Sequence, residues 1–174
     1  MRLIAFILLL ASNNLISQEI KRADSERSSI TYSGKHFLHK WSAENKNVSG
    51  LIQIENESIS NIGIVVKVSD FKSGNSSLDS NSLRVLDALQ FPNVIFKSTD
   101  VKQENGKIIF EGVMNFHGIE KDFNILAEVT QLDEMTKLFG KFSVSLAEFL
   151  VKRPSLLTRK IDDEINLEFD LYFK

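Results

Sequence analysis

The chain has 174 residues and no cysteine. Disulfides, thiolate metal ligands and cysteine nucleophiles are therefore excluded, and so is a lipoprotein anchor, which needs a lipidated cysteine. Proline occurs twice, at Pro92 and Pro154, and tyrosine and tryptophan contribute 2 and 1 residues against 13 phenylalanines. Charge of one sign is lacking too. The 21 basic and 23 acidic side chains leave a net charge of -2 and are mixed along the chain. Nucleic acid is thus a poor partner, because phosphate contacts need a concentrated basic face. G-x-S-x-G, H-E-x-x-H and P-loop patterns are absent.

The one long apolar run stands at the N-terminus. Met1-Arg2 is a short positive region, LIAFILLLA (Leu3 to Ala11) is apolar, and small and polar residues lead to Ser17-Gln18. This is the layout of a secretory signal peptide, and it is too short to span a bilayer. Cleavage after Ser17 would leave no stable membrane anchor and would place the protein in the periplasm or outside the cell. Residues 18–29 include IKRADSERSS, which is charged and aperiodic, and they read as a flexible lead-in.

From Ile30 onward, apolar residues recur at every second position, the period of a half-buried strand. Eight such runs are expected. They are ITYSGKHF (Ile30 to Phe37), Val48–Ile54, Ile62–Val68, Val94–Gln103, Lys107–Phe116, Phe123–Thr130, Leu138–Leu146 and Ile165–Phe173. Lys35 to Asn47 reads as a polar connection, and Ala147 to Asp163 as a long one. Asn105-Gly106 predicts a tight hairpin, because both turn positions tolerate positive φ. The period changes once. SGNSS (Ser73 to Ser77) has turn chemistry, and Asp79 or Ser80 is placed to cap a helix. Leu83, Leu86 and Leu89 share one side of that helix, and Pro92 is expected to stop it. These features predict an all-β fold: an antiparallel eight-stranded barrel with one short helix over it, closed because closure removes exposed edges. A two-sheet sandwich is the alternative.

Candidate chemistry is sparse. His36 and His39 form H-x-x-H, with His117 distant in sequence, but neither strand nor loop spacing brings i and i+3 to one metal. The three histidines read as turn and surface residues. No acid, base or nucleophile set emerges and no cofactor motif is present, so a binder is favoured over a hydrolase or isomerase built on His117 or His36. Gly50, Gly112 and Gly140 lie on inward faces. They would either leave room for a ligand or relieve strand curvature.

Three segments resemble the YceI-like family. FKSGNSSLDSNSLRVLDALQFPNVIFKST (Phe71 to Thr99) is similar to its helix followed by an aromatic-x-Pro-x-I-x-F strand, here Leu89 to Phe96. VMNFHGIEKDF (Val113 to Phe123), with Gly112, His117, Gly118 and Lys121, is similar to its Gly-containing hairpin. The alternating C-terminal strand is the third. The family's usual Asp and Ser before the first strand are replaced by ITYSGKHFLHKW, which marks a divergent branch. The resemblance covers residues 30–174 and implies a lipocalin-like barrel that carries a polyisoprenoid or fatty ligand without catalysis, with homodimers known among its members. A structural or interaction module filled by its own Phe side chains is the alternative. If the barrel is a carrier, alternation and the helix face point to a lipid-binding lining of Ile64, Val66, Leu83, Leu86, Phe96, Phe110, Met114, Phe142, Val144, Phe169 and Leu171.

Overall fold

Side chains of a strand point alternately to opposite faces, so each alternating run can bury one face only and must curl around a shared interior. The computed structural model describes residues 18–37, 39–104, 107–156 and 158–174. The expected signal peptide and the Asn105-Gly106 turn lie outside these residues. The strands are β1 (Gln18–Arg22), β2 (Ser29–Lys35), β3 (Lys40–Asn45), β4 (Ser49–Glu55), β5 (Ser58–Lys67), β6 (Asn93–Glu104), β7 (Lys107–Phe116), β8 (Ile119–Leu132), β9 (Met135–Ser145), β10 (Ser155–Leu156), β11 (Arg159–Lys160) and β12 (Glu164–Phe173). Among the described residues one α-helix, α1, spans Ser76–Val85.

Ten strands form one antiparallel curled sheet in the order β1-β4-β5-β6-β7-β8-β9-β12-β2-β3, while β10 and β11 pair with each other as a separate strap. The count of eight is thus corrected to ten among the described residues. Among the described residues the edge strands β1 and β3 do not pair with each other. The expected closed barrel is therefore a curled half-barrel, whose edges are tied back to interior elements by short bridges. Ala23 bridges Phe173 just beyond β1, and Glu44 in β3 exchanges both backbone hydrogen bonds with Lys72 beyond β5. Glu104 pairs with Lys107, which fixes a two-residue connection between β6 and β7.

The two added strands come from segments without clean apolar alternation. The expected lead-in, residues 18–29, is instead part of the sheet. Gln18–Arg22 pairs with β4, and Asp24 is buried with Lys174 on its carboxylate at 2.8 Å. The expected connection at 35–47 contains β3. Its inward positions are Trp41, Ala43 and Asn45, and the last is a fully buried amide whose Nδ2 donates to Lys67 O at 3.1 Å. A buried amide is stable only when its polar atoms find partners, and Asn45 Oδ1 also accepts from Asn47 N–H at 2.7 Å.

The helix also departs from expectation. Its cap is Asn75, whose side chain accepts from the N–H groups of Ser77 and Leu78. Asp79 instead binds the backbone N–H and hydroxyl of Ser73, which lowers its carboxyl below the ordinary value through those two hydrogen bonds. The helix ends at Val85, before Pro92, and Asp87 at φ 44° reverses the chain. Leu89 is consequently exposed rather than inward.

Candidate functional site

β7, β8, β9 and β12 divide their inward faces in the same way. At one end of the barrel Ile52, Ile108, Ala127, Leu138 and Phe173 are buried to 2% exposure or less and pack solidly. Toward the other end, β7, β8, β9 and β12 continue into the wall of a cavity of about 520 Å³. β7 contributes Phe110, Met114 and Phe116, β9 gives Phe142 and Val144, and β12 supplies Ile165, Leu167, Phe169 and Leu171. β5 and β6 add Ile62, Ile64, Val66, Val94 and Phe96. All eleven residues proposed from sequence border this one space: Ile64, Val66, Leu83, Leu86, Phe96, Phe110, Met114, Phe142, Val144, Phe169 and Leu171. The helix lies over it. No residue of α1 is fully buried, since Leu78, Leu83 and Val85 face the cavity rather than a packed core.

Several lining residues were missed. Ile30 and Tyr32 come from β2, and His36, His39 and Trp41 from β3 and the turn before it. Val151, Pro154, Ser155 and Ile161 come from the strap and its flanks. The signal for Ile30, Tyr32 and His36 was present, because they alternate through ITYSGKH with Gly34 between them. Trp41 stacks over Gly34 so closely that an added Cβ would stand 2.3 Å from its ring.

Polar groups gather on the helix side. Tyr32 Oη and Ser82 Oγ are 3.3 Å apart, linking β2 to α1. Burial pushes the Tyr32 phenol above its ordinary pKa, the Ser82 contact opposes this, and the nearby Asp79 charge adds to it. Apart from histidine, formal charge reaches the lining only through Lys72 and Asp79 among the described residues. Each has a protein partner. Lys72 Nζ donates to Ser69 O at 2.9 Å, and Asp79 holds Ser73.

The histidines need correction. His36 is only 2% exposed, not a surface residue, and its Nε2 meets Arg159 O at 3.2 Å. His117 does sit in the β7–β8 turn, at φ 52°, but it is largely covered: Nδ1 meets Phe149 O at 3.0 Å, and Phe91 packs against its ring at 4.9 Å. Among the described residues no group of three or more His, Cys, Asp or Glu side chains is placed to hold a metal.

The three inward glycines do not make the room. A Cβ on Gly50 would meet Ile64 at 2.5 Å, and on Gly140 it would meet Phe169 at 2.4 Å. On Gly112 it would strike the Lys97 carbonyl at 2.3 Å, opposite the irregularity between Ser98 and Asp100 in β6. These are sites of close approach at which neighbours fill the missing volume. The cavity arises from the barrel's end, where the cover is a half-buried helix and a strap instead of more strand.

The model of the YceI-like domain matches residues 22–173. No curated protein matches the sequence. Among solved structures, Burkholderia cenocepacia BcnA is 17% identical, superposes with a TM-score of 0.78, and is matched over 86% of this chain and 98% of its own. A polyisoprenoid binding domain from Saccharophagus degradans, implicated in plant cell wall breakdown, is 11% identical with a TM-score of 0.69, over 88% and 97% of the two chains. The Campylobacter jejuni YCEI protein is 17% identical with a TM-score of 0.64, over 74% and 81%. At these identities the structural likeness establishes the fold.

Proposed function

The chain belongs to the YceI-like family, and from that premise we propose that it is an exported, non-enzymatic carrier of a polyisoprenoid or other long-chain lipid. The observation that carries this reading is the cavity of about 520 Å³ with its apolar wall. At roughly 30 Å³ for each water-sized unit, it has room for about seventeen such units, the size of a lipid tail folded within the barrel. Burial of the tail supplies most of the attraction, at about 0.8 kcal/mol for each CH₂ removed from water. The Saccharophagus degradans neighbour, described as polyisoprenoid binding, points to the same ligand class.

Export follows from the leader-like N-terminus. Cleavage after Ser17 would leave Gln18, the first residue of β1, so every strand among the described residues would remain. N-terminal sequencing of the periplasmic or secreted fraction should begin near Gln18, and an intact Met1 in washed membranes would contradict it.

Native mass spectrometry of protein purified from its own host tests the carrier. We expect a bound long-chain lipid. Met114 is 4% exposed and borders the cavity, so Met114→Lys places a charge inside. The variant should lose the lipid while keeping its β-type circular dichroism. A folded variant with a full lipid load would move the site elsewhere, and a lipid-free wild type that takes up none would leave the barrel without a cargo.

A further inference from the structure

The cavity wall is mostly apolar; besides His36, His39, Ser69, Lys72 and Ser155, polar side chains gather where β2 meets α1. There Tyr32 and Ser82 both border the space and lie 3.3 Å apart, oxygen to oxygen. Two hydroxyls carry two hydrogens but use only one in a shared bond. The other has no protein acceptor among the described residues. Both residues are half-buried, and the unused donor borders a largely apolar space in which a ligand oxygen can take the place of water as its acceptor. The charges nearby do not favour an anion. Lys72 and Asp79 are opposite in sign, and each is already engaged, with Ser69 O and with Ser73. Among the described residues no cluster of cations borders the cavity, as a phosphate or diphosphate would require.

Resting on the carrier reading above, we infer that Tyr32 and Ser82 form an internal head-group subsite that donates a hydrogen bond to an uncharged oxygen of the lipid, an alcohol or carbonyl, seated beneath α1. The lipid therefore enters with its polar end held between the helix and the β2 wall, and its tail runs toward the packed end of the barrel. Tyr32 is suited to the task because its ring is fixed against Phe71, with centroids 5.3 Å apart, so the hydroxyl is positioned before the ligand arrives.

Three probes share one fifteen-carbon tail: farnesol, the hydrocarbon farnesene and farnesyl monophosphate. Trp41 is the chain's single tryptophan and borders the cavity, so its fluorescence reports occupancy. The quantity of interest is the ratio of the farnesene Kd to the farnesol Kd. In the double variant Tyr32→Phe, Ser82→Ala both donors are gone, and the ratio should fall about tenfold, the effect of one buried hydrogen bond, with farnesene binding unchanged. Farnesyl monophosphate should bind the wild type more weakly than farnesol. An unchanged ratio overturns the subsite, and so does a phosphate that outcompetes the alcohol. The wild-type comparison of alcohol with phosphate needs no variant and stands even if the double variant unfolds. If farnesene binds and the ratio does not move, the subsite fails while the carrier stands. If none of the three probes binds, the carrier reading fails and the subsite with it.

Discussion

Asp24 gathers an unusual number of contacts for one carboxylate. Its N–H donates to Tyr172 O at 2.7 Å, and its carbonyl accepts from Arg27 and Ser28. The carboxylate takes Lys174 Nζ at 2.8 Å and the N–H of Glu26 at 3.1 Å. The Lys174 contact holds the carboxyl below its ordinary value of 3.8, with the Glu26 N–H helping and burial opposing. A pKa lowered on folding gives stability that is complete above the unfolded value and is lost as pH falls through the folded one. Asp24→Asn should therefore be less stable than wild type at neutral pH, and the gap should close in acid below that folded value. Paired urea titrations at neutral pH and across the acid limb read this; a gap that persists through the whole acid limb would assign the loss to geometry rather than charge. Phe91 is a second residue whose environment sets its magnitude. It is half-buried, lying on His117 and so close to Gly118 that a Cβ there would stand 2.4 Å from its ring. Phe91→Ala should thus cost about 1–2 kcal/mol, less than a fully buried ring would. A loss under about 0.5 kcal/mol in urea would mean that the ring holds nothing in place.

At the scale of elements, α1 differs from every long strand. It has no fully buried residue, and its apolar side faces the cavity. A helix held this loosely depends on its own ends, and Asn75 supplies the N-terminal one by accepting from two of the four N–H groups that a helix start leaves unpaired. Asn75→Ala should cost the helix about 1 kcal/mol. Because the lid frays while the sheet stays paired, bound farnesol should leave faster with little change in the barrel's unfolding. Stopped-flow release followed through Trp41 measures it, and an unchanged rate would remove α1 from the gate. The elements legible in the sequence were those whose inward positions are mostly apolar. β7 reads Ile108, Phe110, Met114 and Phe116 around Gly112, and the structure buries that face. β1 and β3 were illegible for a physical reason. Their stability comes from hydrogen bonds at the barrel's seams, and their inward positions hold Lys21, whose Nζ donates to Glu134 O at 2.6 Å, and Asn45. A partner more than a hundred residues away satisfies Lys21, and no local pattern announces it. The cavity lining was legible where strands alternate. The Tyr32–Ser82 contact was not, because it depends on how the helix lies across β2.

The molecule as a whole is a barrel packed at one end and hollow at the other. Ile108, Leu138 and Phe173 are fully buried in the packed end, while the same three strands open onto the cavity further along. The packed end gives the sheet a core that does not depend on ligand, so the empty protein can stay folded. The hollow end should then be the less stable part, with amides that exchange through local opening instead of global unfolding. A bound lipid would couple the two. A lipid that binds only the closed, folded protein stabilises it by RT ln(1 + [L]/Kd), about 2.7 kcal/mol at one hundred times Kd, which slows exchange about a hundredfold. The same factor applies to any local opening that releases the lipid. Hydrogen exchange followed by mass spectrometry should therefore show α1 exchanging much faster than β7, β9 and β12 in the empty protein. Saturation with farnesol should slow α1 by a factor comparable to that of the core strands. If the core slows and α1 does not, the helix opens without disturbing the ligand and forms no part of its enclosure. If α1 is as protected as the core before any lipid is added, the lid is rigid and entry must run elsewhere, past the β10–β11 strap.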